Sequence, residues 1–218
     1  MPTFEELLDR TAVLHQHLCP RQVLGVRMGL AGGRWLGLEV PQTDKRILTI
    51  VETDGCAIDG IAVATGCFVG RRSLYVFDFG KVAATLVDTL TGRAVRIVPS
   101  AITRRRAKDY APEAESRWEA YLLGYQRMPE AELLDVQEVT LGISVKELQS
   151  RDGYRVNCEV CGEEIINERE VVREGSILCR PCAGERYYQP LAEAAEFSME
   201  PVADHARQPR RLTPYQAP

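Results

Sequence analysis

The stretch RILTIVETDGCAIDGIAVATGC, residues 46–67, decides the fold class. Its first part, Arg46 to Thr53, is rich in β-branched residues and reads as a strand. Asp54-Gly55 is a turn signal, and the small apolar run Cys56 to Thr65 suits a buried helix that stops at Gly66. Three more strand-like runs follow, Leu74–Phe77, Val82–Asp88 and Ala94–Pro99. The short polar spacers Asp78–Lys81 and Thr91–Arg93 between them predict an antiparallel meander. Toward the N-terminus, Phe4–Leu14 has helical periodicity, Cys19-Pro20 breaks it, and Pro20 suits the first turn of a second helix. That helix is expected from about Gln22 to Leu30, ended by Gly32-Gly33. Toward the C-terminus, Glu113–Tyr125 and Met128–Leu134 read as helices and Asp135–Ile143 as a last strand. With so little βαβ repetition, the class is α+β with a mixed, mostly antiparallel sheet, not doubly wound α/β.

Composition sets the outer bounds. The 218 residues, 45% hydrophobic, are enough for one sizeable core plus a small accessory unit. A net charge of -4 gives no global positive field for nucleic acid or an anionic membrane. No apolar run approaches the roughly 18 to 20 residues that cross a bilayer. The segment Met1–Leu18 carries Glu5, Glu6, Asp9 and Arg10 and does not resemble a signal peptide, so a cytoplasmic location is expected.

Four of the seven cysteines form two CxxC pairs, Cys158/Cys161 and Cys179/Cys182. Each pair puts two sulfurs on one tight knuckle, and Gly162 permits the turn after the first. Between them, strand candidates Glu170–Val172 and Ser176–Leu178 flank Glu174-Gly175, a hairpin that delivers the second knuckle opposite the first. This spacing matches a closed tetrahedral zinc site, structural because four thiolates leave no open position. A rubredoxin-like iron site has the same ligands. Ala183–Tyr188 is expected to start a helix, completing a treble-clef or ribbon-like module. Its loop is acidic (Glu163, Glu164, Glu168, Glu170), which favours protein contact or simple packing over phosphate binding.

His15-Gln-His17-Leu-Cys19-Pro20 gathers three soft or borderline ligands at a helix end. Two readings stay open: a metal or reactive cluster, or a buried cysteine beside two surface histidines. Cys56 and Cys67 flank the small-residue helix, where cysteine also serves as a compact hydrophobe. The basic run Arg104–Arg106 with Lys108 reads as a solvated loop sooner than a phosphate site.

Taken together, HQHLCPRQVLGVRMG, Thr53-Asp54-Gly55-Cys56-Ala57-Ile58-Asp59-Gly60-Ile61, Thr65-Gly66-Cys67, Gly70 and Phe79-Gly80-Lys81 resemble the FmdE family, which takes its name from formylmethanofuran dehydrogenase. The resemblance covers roughly Phe4 to Ile97, and the four-cysteine module is a frequent C-terminal appendage there. Gln16 and Arg21 replace glycines of the family pattern, Gly60 replaces alanine and Phe68 replaces threonine. The resemblance implies an FmdE/GAPDH-like α+β core, usually an intertwined homodimer, with a histidine- and cysteine-lined pocket near the dimer interface. Carried over residue by residue, it makes His17, Cys19 and Cys56 the first candidates for a second metal or reactive site, with His15, Asp59 and Cys67 next. Lys81 is the candidate for a positive charge. Cys19, Cys56, Asp59 and Lys81 are the candidates for any catalytic role.

The expected organisation is an FmdE-like core over residues 1–148, a zinc module over 149–190 and a flexible tail over 191–218. Three functions fit. The first is a metal-binding protein that serves a molybdenum or tungsten formylmethanofuran dehydrogenase-type enzyme as accessory or metal-handling partner, with one structural zinc and a second metal of unknown identity. The second is a stand-alone metal- or thiol-dependent enzyme, and the third a zinc-finger regulator binding nucleic acid or the transcription machinery. Interleaved acidic residues in the module count against the third.

Overall fold

The computed structural model describes residues 1–151 and 153–189. The chain divides into two compact units, Met1–Ser150 and a second beginning at Arg151. The stretch 191–218, expected to be a flexible tail, lies outside the described residues.

In the first unit, α1 (Phe4–His15) starts on a capping box. Glu6 N–H donates to Thr3 Oγ1 at 3.2 Å and Thr3 N–H donates to the Glu6 carboxylate at 2.9 Å. Then come α2 (Pro20–Leu36), β1 (Ile47–Val51), α3 (Ala57–Thr65), β2 (Leu74–Val76), β3 (Ala84–Asp88) and β4 (Ala94–Pro99). The short α4 (Thr103–Arg106), α5 (Arg117–Arg127), α6 (Glu130–Leu133), β5 (Leu134–Val139) and α7 (Val145–Gln149) complete it. The second unit holds β6 (Arg155–Asn157), β7 (Glu164–Ile166), β8 (Val171–Arg173) and β9 (Ser176–Leu178).

The sheet order is β2-β1-β3-β4-β5. The expected meander is therefore only partly present: β3, β4 and β5 run antiparallel in turn, but β2 pairs with β1, in parallel. The reason is α3, which carries the chain across the sheet as one β1–α3–β2 crossover and frees the other edge of β1 for β3. The mixed α+β class stands. One sheet face, with Ile47, Val51, Leu86 and Ile97, packs under α1, α2, α3 and α5, and the opposite face carries Leu48, Ile50 and Val87 with Val145 and Leu148 of α7. At the end of β1, Glu52 receives a bidentate pair from Arg96 at 2.6 and 2.8 Å, which holds its carboxyl below the usual range.

The second helix runs past the expected stop at Gly32-Gly33 and ends at Gly37, in the left-handed region at φ 71°. Those two glycines make room for neighbours. A Cβ on Gly32 would stand 2.5 Å from Leu86, and one on Gly33 2.9 Å from Val40. The closest approach is between α2 and α3. A Cβ on Gly25 would lie 2.2 Å from the Ala57 carbonyl oxygen, and one on Gly60 2.2 Å from that of Gln22. Both obstacles are backbone, so neither helix can yield without displacing the other.

Gly60→Ala gains about 1 kcal/mol of helix propensity. The overlap with backbone costs typically 1–3 kcal/mol or more, roughly equal to or above that gain. A net loss of stability is expected in chemical denaturation, whereas Gly142→Ala, with nothing within 4 Å of its Cβ position, should change stability by less than about 0.5 kcal/mol.

Candidate functional site

The four C-terminal cysteines converge. Their sulfurs all lie within 4.8 Å of one another, the only such group of three or more potential ligands among the described residues. Cys161 and Cys179 are 3.8 Å apart, and a tetrahedron of sulfurs about 2.3 Å from zinc has edges of about 3.8 Å. The donor set and its spacing fit zinc. Two knuckles build it: Cys158 N–H donates to Glu163 and Gly162 N–H to Cys158, while Ala183 N–H donates to Cys179, each at 2.9 Å. The β8–β9 hairpin turns at Glu174-Gly175 with both residues at positive φ, as its sequence predicts. Backbone N–H groups aimed at Cys158 lower its thiol to about 6, the direction that favours a ligating thiolate. Arg186 adds a guanidinium N–H 3.9 Å from Cys182. Beyond the second knuckle the expected helix is replaced by a turn over 181–184, where Arg180 and Pro181 accept the N–H groups of Glu185 and Gly184.

The core carries a different arrangement. Cys19 is the N-cap of α2 and Cys56 that of α3, and the glycine contact between these helices sets the two thiols side by side. Cys19 closes a capping box made with sulfur: the Gln22 and Arg21 N–H groups point at its thiol, and its own N–H donates to Gln22 Oε1 at 2.6 Å. Burial pushes this thiol up, and neighbouring Cys56 adds to the rise against those N–H groups.

Cys19 and Cys56 line a cleft of about 800 Å³ together with Arg21, Thr53, Gly80, Ser100, Arg104 and the aromatic face Trp118, Tyr121 and Tyr125. No carboxylate is among its lining residues. Burial raises the Tyr125 hydroxyl to about 12, with Arg104 opposing that rise. The other candidates sit apart from this pair. His15 Nδ1 lies 2.6 Å from Asp59, and the His17 ring is 4.8 Å from that of His15. Cys67 is buried in the core and donates to the Ile47 carbonyl at 3.3 Å. Lys81 is exposed near Glu52, to which its backbone N–H donates at 2.9 Å.

Sequence reading missed the arginines and the aromatic wall. The signal was present in α5, where Trp118, Tyr121 and Tyr125 fall at i, i+3 and i+7 on one helical face. Arg104, read as part of a solvated loop, lines the cleft from α4.

The four-cysteine unit has only a small apolar cluster of its own, Ile165 with Val156, Ile177 and Leu178 around Cys158 and Cys179. Structural zinc is worth about 10–16 kcal/mol in comparable peptides, so it dominates such a core. Cys179→Ser or prolonged chelation should release the zinc and open residues 153–189 to protease. The thermal transition of residues 1–150 should be unchanged. Elemental analysis with limited proteolysis checks both.

Comparison with known proteins agrees with this division. The "prokaryotic dksA/traR C4-type zinc finger" matches residues 153–188. A curated relative from Archaeoglobus fulgidus, named a probable S-adenosyl-L-methionine-binding protein, is 31% identical over 83% of this chain. The chain spans about half of that relative's length, 53%. The crystal structure of a tungsten formylmethanofuran dehydrogenase FmdE-like protein from Syntrophus aciditrophicus shares the fold. Its TM-score is 0.59 at 22% identity, over 86% of this chain and 96% of that one. The family described as "FmdE, Molybdenum formylmethanofuran dehydrogenase operon" matches residues 14–135, more than half of the sequence, and with the motifs around Cys19 and Cys56 inside that span, the chain belongs to the FmdE family.

Proposed function

We propose that this chain is a metal-binding accessory protein, with zinc on its four C-terminal cysteines and a second metal taken up at Cys19 and Cys56. The proposal extends to a homodimer that works beside a molybdenum or tungsten enzyme of the formylmethanofuran dehydrogenase type. One observation supports the second metal: two thiols, each at the start of a helix, neighbour each other in the lining of one open cleft. Two sulfurs are half of a tetrahedral set, so the remaining positions are open to another donor or a ligand. His15 and His17 are the nearest imidazoles in sequence, but His15 is engaged with Asp59. Among the described residues four converging donors are not present there, and a further donor from elsewhere, a partner protomer or a cleft ligand would complete the set. A metal bound at this pair would stabilise the thiolates and polarise whatever occupies its free positions.

S-adenosylmethionine, named for the Archaeoglobus fulgidus relative, is matched by this cleft only in part: its carboxylate and adenine suit the arginines and the aromatic side chains, while its sulfonium and ammonium meet no carboxylate in the lining. No described helix is long and apolar enough to cross a membrane.

Elemental analysis of the purified chain should give two metal ions, falling to one in Cys19→Ser/Cys56→Ser. Cobalt substitution should lose one of two thiolate-to-metal absorption components in the same variant. One ion in both proteins would sink the second site. Light scattering at twice the chain mass, and recovery of a molybdenum- or tungsten-containing enzyme with the tagged chain from its source cells, test the remaining parts. A monomer, or a tagged chain free of either metal enzyme, would refute them.

A further inference from the structure

The cleft contains more recognition chemistry than a metal at two sulfurs needs. The chain as a whole is acidic, at -4, yet the cleft lining carries Arg21 and Arg104 and no acidic side chain. Arginines elsewhere, such as Arg34, Arg93, Arg96 and Arg127, are paired with carboxylates. Neither Arg21 nor Arg104 has an ion pair to a carboxylate among the described residues, so two fixed charges face the same cleft uncompensated. Arg21 lies over the entry to α3, with Nη1 4.0 Å from the position of a Cβ on Gly55. Arg104 approaches from α4 and meets the Tyr125 hydroxyl.

One side of the cleft is aromatic. The Tyr121 and Tyr125 rings are stacked, 5.6 Å apart and 5° from parallel. Trp118 continues the same face of α5 and is 52% exposed, a large ring left without a cover at the cleft edge. A volume of about 800 Å³ is in the range of small-molecule sites. Guanidinium groups recognise carboxylate or phosphate, and exposed aromatic side chains stack on planar rings.

We propose that this cleft binds an anion attached to a flat aromatic or heterocyclic ring. The carboxylate or phosphate sits at Arg21 and Arg104, and the ring lies along Trp118 and Tyr121. This site goes beyond the metal reading, because neither the arginines nor the aromatic face depends on a metal at the thiols.

The test is calorimetric titration of the full chain with matched probes: nicotinate against nicotinamide, AMP against adenosine, and inorganic phosphate alone. Trp118 fluorescence in a Trp35→Phe background reports ring contact. The charged member of at least one pair should bind about tenfold or more tighter than its neutral counterpart, as expected for charged hydrogen bonds. Which pair responds distinguishes a carboxylate from a phosphate ligand. Arg21→Gln and Arg104→Gln should each collapse that gap. Trp118→Ala should weaken the ring-bearing anion while leaving inorganic phosphate as it was. Arg21→Gln removes no contact that Tyr125 relies on, so it remains informative where Arg104→Gln perturbs folding. Equal affinities within both pairs, a gap that survives both arginine substitutions, or no binding by any probe would overturn the proposal. The same titrations on Cys19→Ser/Cys56→Ser separate it from the metal reading: anion binding retained there supports this site, whatever the metal count.

Discussion

The core depends on the contact between α2 and α3, where backbone meets backbone because Gly25 and Gly60 have no side chain to keep it away. Burial alone would hold two helices at a normal interaxial distance of about 8–10 Å and leave their ends free to drift. Here the carbonyls of Ala57 and Gln22 occupy the space a methyl group would need, and the helices are locked in register. Cys19 and Cys56 begin those helices, so the lock is also what fixes one thiol beside the other. The cleft follows from the same geometry. Its floor is the paired helix starts, and its walls are loops at the sheet ends and the aromatic face of α5.

The second unit is stabilised on a different principle. Its strands are three residues each and its apolar cluster contains Ile165, Val156, Ile177 and Leu178, too little to offset the conformational entropy of ordering the segment. The four sulfurs take the place of a larger core. The first unit has ample apolar burial on both faces of its sheet and uses its cysteines elsewhere.

How much of this could be read in the sequence varied with how local the information was. The CxxC pairs were legible because metal ligation requires a fixed short spacing. The helices around Cys19 and Cys56 were legible because Pro20 and Gly66 punctuate them. Sheet order was not legible, since Leu74–Val76 looks the same whether it pairs with β1 or β3, and the choice is made by where α3 crosses. Gly32-Gly33 was misread for a related reason: glycine ends a helix when the chain must turn and continues it when a neighbour such as Leu86 must come close. Trp118, Tyr121 and Tyr125 shared a helical face in the sequence, but periodicity marks a face without saying whether it meets a core or a cavity. Spacing alone groups His15, His17 and Cys19, the family resemblance adds Cys56, and the fold resolves the set into a thiol pair and a separate histidine–aspartate contact.

The sulfur at the start of α2 separates two demands on one position. A helix is best capped by oxygen, so Ser, Thr, Asp or Asn at residue 19 would serve α2 at least as well as the cysteine does. Sulfur is a weaker cap than oxygen, but it tolerates the burial of residue 19, which a polar side chain would not do as readily. Among homologous chains, an oxygen-bearing residue at this position would mark members that kept the architecture without a thiol in the cleft, a distinction that similarity in fold cannot make.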